Sequence, residues 1–172
     1  MNLPPYHNFP EISTNRIILR QITSEDLKDI LEISYYDAVP AKNAAQAAEM
    51  QGKINQDYLD GNSIHWGIAD SETNKIVGTV GYYRGFEKES GELGCVLLPK
   101  FQGKGYMIAA MQLAIDFGLK NMELKKIWSA TSKDNFPAIK LLERLNFHKT
   151  ADLPHNEIEF EYQKPLFPNE IF

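Results

Sequence analysis

Apolar residues along this chain recur with two periods, and the changes between them mark out the elements. Residues 16–20 (R-I-I-L-R) form a short apolar run that predicts a first strand. Thr23 then offers an N-cap with Asp26 near the N3 position, and Leu27, Ile30 and Leu31 supply a helical stripe. Residues 44–59, rich in alanine, glutamine and glutamate, predict a second helix that Gly61-Asn62 ends. Three strands are expected next, at 63–69, 75–83 and 91–98, joined by the turn-forming 70–74 and the polar 84–90 as an antiparallel meander. From 105 to 119 the period becomes helical: Ile108, Met111, Ile115 and Leu119 share a face, with Met107, Ala110, Ala114 and Phe117 beside it. Residues 126–131 read as another strand. Pro137 suits the first turn of a helix running to Leu145, and Asn146 suits the left-handed position after it. Phe147 opens a further strand, and 157–162 alternates strictly, with Ile158, Phe160 and Tyr162 on one face. The order β-α-α-β-β-β-α-β-α-β-β predicts an α/β fold with a mixed sheet.

Composition narrows the functional classes. A length of 172 residues suits one ordinary domain, expected to span 1–172 with an N-terminal extension at 1–13 and a tail at 164–172. The net charge of −5 argues against a generic grip on nucleic acid, which needs a basic face to displace counterions. Cys95 is the only cysteine, so neither an intrachain disulfide nor a multi-cysteine zinc site is available, and a reducing compartment is the natural setting. The first ten residues hold three prolines and no apolar core, so a signal peptide is not expected. No run approaches the roughly 20 apolar residues that cross a membrane. These features predict a cytoplasmic protein without metal, nucleic acid or membrane as partner, acting as a monomer or homodimer.

The informative stretch is Leu97-Leu98-Pro99-Lys100-Phe101-Gln102-Gly103-Lys104-Gly105-Tyr106-Met107. An apolar strand stops at Pro99, a glycine-rich turn follows, and an amphipathic helix begins at once. Glycines let a backbone approach a ligand closely, and the unpaired N–H groups of a helix's first turn attract an anion. Lys100 and Lys104 add positive charge. This is a phosphate site by its physics, although a solvated glycine turn capping a core helix would look the same locally. A nucleotide P-loop needs G-x-x-x-x-G-K-[ST], which is absent, and a dinucleotide fingerprint needs a glycine where Ile108 stands.

The segment Gln102-x-x-Gly105-x-Met107 resembles the Q/R-x-x-G-x-G/A loop of the GNAT (Gcn5-related) acyltransferases. Residues 135–147 resemble the family's later N-x-x-S/A-x-x-L-x-x-x-x-G-F motif, from Asn135 through Ala138 and Leu141 to Asn146-Phe147. The two stand in the family's order and separation. The R-I-I-L-R run and the Q-G-K-G-Y loop are similar to the branch that contains ribosomal-protein N-terminal acetyltransferases. The resemblance implies a mostly antiparallel central sheet flanked by helices, and transfer of an acetyl group from acetyl-coenzyme A directly to a primary amine, with a protein N-terminus as a candidate acceptor. It implies that the amides of Gln102, Gly103, Lys104, Gly105, Tyr106 and Met107 hold the pyrophosphate. It also implies that Asn135 bonds the pantetheine arm and that main-chain N–H groups around Val96, Leu97 and Leu98 stabilise the oxyanion. On local grounds alone, a helix cap is the readier reading of Asn135.

Glu92, on the strand before the loop, is the candidate base, with a solvent-facing strand glutamate as the alternative. The family's usual acidic tyrosine falls on Leu142, so that role is not carried over; Tyr106, Tyr83 and Ser132 are possible substitutes. Cys95 reads as a small core residue rather than a nucleophile. His65-Trp66 could line an acceptor pocket, although packed strand aromatics are the readier expectation. Glu157, Glu159 and Glu161 could greet a cation or simply be solvated. The segment 35–49 is where the family builds acceptor specificity. The competing function is a non-catalytic acyl-coenzyme A binder or sensor; a nucleic-acid or ribosome-docking module is disfavoured by the charge.

Overall fold

The computed structural model describes residues 1–165. Its strands are β1 (Ile12–Ser13), β2 (Ile17–Arg20), β3 (Tyr35–Tyr36), β4 (Val39–Pro40), β5 (Ile64–Asp70), β6 (Ile76–Tyr83), β7 (Ser90–Leu97), β8 (Lys126–Ser132), β9 (Phe147–Leu153) and β10 (Glu157–Tyr162). The helices are α1 (Ala44–Leu59), α2 (Tyr106–Lys120) and α3 (Phe136–Arg144). Eight strands form one sheet in the order β1-β2-β5-β6-β7-β8-β10-β9, and β3 and β4 form a separate hairpin. Every pairing is antiparallel except β7 with β8. The mixed, mostly antiparallel sheet flanked by helices is therefore present. Most of the expected tail, residues 166–172, lies outside the described residues.

Helix α1 spans the residues its composition indicates because both ends are fixed locally. Asn43 accepts the Gln46 amide on its side chain, and the Gln46 side chain accepts from the Lys42 amide. Gly61 takes a left-handed φ of 80° just beyond the end. Asn146 likewise takes φ 64° after α3, as its substitution for a glycine suggests.

The main core lies between one face of the sheet and α2. Trp66, Tyr82, Leu93, Met111 and Ile115 are among its fully enclosed side chains. Tyr82 donates its hydroxyl to the Ala114 carbonyl at 2.9 Å, fastening β6 to the middle of α2. The N-terminal segment crosses this layer, where Trp66 donates Nε1–H to the Pro10 carbonyl and Phe9 packs against Tyr58 and Trp66.

The opposite face carries a smaller core and corrects one sequence expectation. The helix expected from Thr23 through Leu31 does not form. Amides of Asp26, Asp29, Ile30, Ile33 and Ser34 instead bond carbonyls three residues back, and only residues Leu31–Ile33 form a short 3-10 turn. The buried residues are Leu27, Ile30 and Ile33, spaced by three, rather than the stripe ending on Leu31. Asp26 does accept the Thr23 amide and hydroxyl, as a capping pattern would, but its carboxylate is gripped from the other side by Arg20. Two guanidinium nitrogens meet its two oxygens at 2.9 Å each, while Arg20 also donates to Asn74 in the β5–β6 turn. That bidentate pair ties residues 21–34 to the sheet edge.

Burial raises the Asp26 carboxyl pKa, but hydrogen bonds from Arg20 and Thr23, with the charge of Arg20, outweigh it and leave the pKa lowered. Asp26→Asn should therefore reduce unfolding free energy by about 1–3 kcal/mol in urea denaturation. A depressed carboxyl contributes stability above the unfolded aspartate value of about 3.9 and loses it as pH falls through the folded value. The difference between wild type and variant should thus shrink below about pH 4.

Candidate functional site

Strands β7 and β8 run parallel but stay together only briefly. Their register pairs Ser90 with Lys126, Gly91 with Ile127 and Glu92 with Trp128, and then stops, although β7 continues to Leu97 and β8 to Ser132. A gap opens between them toward their C-terminal ends. Main-chain groups alternate sides along a strand. The Leu98 amide donates to the Val77 carbonyl at 2.9 Å, toward β6, and the Lys125 amide donates to Glu89 at 2.8 Å, on the β8 side. The alternation turns Leu93, Cys95 and Leu97 toward β8; the Glu92–Trp128 pairing takes the Leu93 amide, so the N–H groups of Cys95 and Leu97 face the gap, and those of Val96 and Leu98 face β6. This corrects the oxyanion expectation for Val96 and Leu98 and leaves Leu97, with Cys95, as the available amides. Val96 instead presents its side chain to the cavity described below.

The loop after β7 closes the same end of the gap. Gly103 and Gly105 both adopt left-handed φ, 73° and 81°, turning the chain sharply into α2 at Tyr106. Among the described residues the amides of Gly103, Lys104 and Gly105 find no main-chain partner, and Tyr106, Met107 and Ile108 are the first-turn donors of α2. The Gln102 amide is engaged with Pro99. Lys100 and Lys104 both lie over the Phe101 ring, with Nζ 5.3 and 5.6 Å from its centre. Met107, where the family has glycine or alanine, is half-buried and packs against the main core. Across the gap, after β8, Asn135 caps α3 by accepting the Ala138 amide at 3.3 Å. The cap occupies its oxygen and leaves its side-chain NH₂ without a protein partner among the described residues.

The acid candidates separate clearly. Tyr106 donates its hydroxyl to Asp70 at 2.7 Å and lies under the Arg16 guanidinium, which anchors the start of α2 to β5. Ser132 Oγ accepts the Asp134 amide. Leu142 is buried in the main core. Tyr83 has no hydrogen-bonded partner among the described residues, and its ring lies over Gly94, where a Cβ would come within 2.7 Å of Tyr83 Cε2. Burial, with the nearby Cys95 and Glu92, pushes the Tyr83 hydroxyl pKa well up, so it stays protonated.

Glu92 sits at the fork itself. Its side chain is only 12% exposed, and both oxygens accept from one Arg84 nitrogen at 2.7 and 2.8 Å. Burial raises its pKa, and Glu157 adds to this; the charge and hydrogen bonds of Arg84 oppose but do not cancel the shift. Of the glutamate ladder on β10, Glu159 and Glu161 pair with Lys126.

On the face of β5–β7 opposite α2 lies a cavity of about 670 Å³, roofed by α1, residues 30–38 and the β6–β7 connection. Its charged lining is Asp37, Asp57 and Glu87 against a single cation, Arg84. Tyr36 donates its hydroxyl to Asp57 at 3.1 Å, tying the β3–β4 hairpin to α1 across the cavity. His65 lines this chamber and a neighbouring one of about 250 Å³, while Trp66 faces the core. The adjacent pair thus splits: the expectation of core packing holds for Trp66 and fails for His65. Ser63, which the sequence did not single out, joins it. Strand alternation would have placed positions 63 and 65 together on one face, but only the fold puts a cavity over that face.

The Acetyltransferase (GNAT) domain family matches residues 16–148. The chain belongs to the GNAT acetyltransferase family. It is 33% identical over 146 residues to an uncharacterized N-acetyltransferase, p20, of Bacillus licheniformis, covering 79% of this chain and 81% of that protein. The [ribosomal protein uS5]-alanine N-acetyltransferase of Escherichia coli is 29% identical over 101 residues, 57% of this chain and 52% of that one. A dodecameric spermidine N-acetyltransferase from Vibrio cholerae shares the fold, with a TM-score of 0.70, 20% identity and coverage of 86% and 92%. Membership makes this GNAT protein an acyl-coenzyme A-dependent N-acetyltransferase. No helix among the described residues is long and apolar enough to cross a membrane, and these residues hold no cluster suited to a metal ion.

Cys95 is unsuited to forming a covalent acyl-enzyme. Burial pushes its thiol up to about 12, and its sulfur lies 3.5 Å from that of Met111. In the folded protein Cys95 should react with a thiol-specific disulfide reagent at pH 7.5 at least about a hundred-fold more slowly than in denaturant. Absorbance of the released thiol measures both rates.

Proposed function

We propose that this protein acetylates the α-amino group of a peptide or protein N-terminus, using acetyl-coenzyme A. The single observation that carries the reading is an acidic cavity lined by Tyr83, Arg84 and Val96, beside the gap that opens after Glu92. Pyrophosphate is held by the free amides of the 103–107 loop together with Lys100 or Lys104, with Gln102 at its entry. The pantetheine arm follows β7, where Cys95 and Leu97 offer unpaired main-chain groups, and Asn135 reaches it from the far side.

The acceptor amine enters from the cavity, whose excess of carboxylates attracts it as an ammonium. Glu92, directly or through water, removes the proton. Its raised pKa makes it a better base at neutral pH than an ordinary glutamate, and Arg84 fixes its orientation. The neutral nitrogen then attacks the thioester carbonyl, and the developing oxyanion meets the Leu97 amide. The C–S bond breaks, and the second proton of the former ammonium passes from the amide nitrogen to the departing thiolate, directly or by way of the Tyr83 hydroxyl. An α-amine, with a pKa near 8, demands less of this base than a lysine near 10.4. The Escherichia coli relative named for an alanine acceptor on a ribosomal protein supports the α-amino class. A second reading, binding acyl-coenzyme A without turnover, is favoured by the double grip of Arg84 on Glu92 and the buried Leu142.

Acetyl-coenzyme A should raise the melting temperature, as mass action requires of a ligand of the native state. Gly105→Val, which cannot hold φ 81°, should abolish that shift at unchanged helix content by circular dichroism. Glu92→Gln should lower kcat on a peptide panel by roughly 10²-fold and remove the acid limb of its pH profile. Cofactor binding with no thiol release on any amine would favour the binding-only reading.

A further inference from the structure

Two buried polar atoms on the cavity floor have no partner, and no step of the chemistry uses them. They are Ser63 Oγ and His65 Nδ1, both shut off from solvent. Ser63 is 6% exposed, and both residues line the large cavity. Buried polar groups in native proteins are nearly always bonded, so two orphans on residues lining one cavity point to a partner that the protein itself does not supply.

Sheet register explains how they come to face it. His65 pairs with Gly81, and Gly81 pairs with Gly94 on β7, just beyond the last β7–β8 pair. The lack of side chains at Gly81 and Gly94 makes room on this face for the rings of His65 and Tyr83. The His65 Cδ2 lies 3.2 Å from where a Gly81 Cβ would stand, and Tyr83 lies over Gly94. The His65 and Tyr83 rings are 5.6 Å apart between centres. The paired rings therefore link the orphan pair to the strand that borders the gap.

The two orphans differ in kind from the rest of the lining. Asp37, Asp57 and Glu87 belong to the hairpin, α1 and the β6–β7 connection, away from the strands that form the floor. The floor at Ser63 and His65 is uncharged, because burial pulls the imidazole down to about 4 and keeps it neutral at physiological pH. Residues two apart on a strand share a face and stand roughly 6.6 Å apart. An amide placed between them presents N–H and C=O in opposite directions, and so serves one orphan with each. An alkyl group serves neither, and an ammonium has donors only.

We propose that Ser63 and His65 form an acceptor subsite that recognises an uncharged amide adjoining the reactive amine, the position of the first peptide bond in a peptide acceptor. This rests on the reading of the cavity as the acceptor site. The pair sets specificity and takes no part in the proton transfers.

Glycinamide and ethylamine test the subsite, because they differ only in replacing the amide by a methyl group. In Ser63→Ala and His65→Phe, the ratio of kcat/KM for glycinamide to that for ethylamine at one pH should fall at least ten-fold, with ethylamine kcat/KM within two-fold of wild type. His65→Asn is the fallback if the phenylalanine variant does not fold. Independently of turnover, nitrogen resonances of ¹⁵N-histidine-labelled protein should shift at His65 with glycinamide and not with ethylamine, His65→Phe giving the assignment. Equal loss on both amines, or transfer to glycinamide with an unmoved His65 signal, overturns the subsite. A glycinamide-specific shift at His65 without transfer to any amine would uphold the subsite and remove the acetyltransfer reading instead.

Discussion

The structure depends on one constraint, the short parallel pairing of β7 with β8. Parallel neighbours need a long crossover, and α2 with its preceding loop supplies it. Because both strands point the same way, the loop before α2 and the cap of α3 emerge at the same end. Because pairing stops at Glu92 and Trp128, the remaining main-chain groups of β7 on that side have no strand to bond. An unpaired run of buried backbone is costly, and a ligand that lies along it removes the cost. The gap is thus at once a fault in the sheet and the place where an extended amide-bearing chain can be bound.

Everything else holds that gap open and equipped. The Tyr82 bond to Ala114 and the core around Trp66 and Met111 fix α2 against β6, which fixes where the glycine loop ends. The Tyr106 bond to Asp70 holds the first turn of α2 to β5, so the loop's amides are aimed by side chains that touch no ligand. On the other face, the Arg20–Asp26 pair anchors the segment that carries Ile30 and Ile33 to the cavity wall. On the proposed reading, the two faces divide the labour between one substrate that binds along the backbone and another that binds by charge and side chain.

Legibility in the sequence varied with how local the determining forces are. Helix α1 was readable to its ends because Asn43, Gln46 and Gly61 act within a few residues of the helix itself. The phosphate-type loop was readable for the same reason, since two glycines and a following amphipathic run determine its geometry. The expected helix at Thr23 failed because Asp26 looks like a capping residue until Arg20, on a strand, and Asn74, in a distant turn, claim it. Leu98 was expected to offer an amide, and only the register with β6 showed that Val77 takes it.

The family motifs and the candidate base came from a resemblance; from its own pattern, the sequence determined the α/β class, the order of its main strands and the glycine loop before α2. Those follow from periodicity, turn chemistry and close spacing, which survive without knowledge of neighbours. Tertiary structure decided which amides face the gap, that Tyr106 is spent on Asp70 while Tyr83 stays free, and that Asn135 caps a helix. It also decided that Ser63 and His65 open onto a cavity while Trp66 turns to the core. The reason is physical: sheet register and face assignment join residues far apart in the chain, and no local rule sets which hydrogen bonds those distant partners will claim.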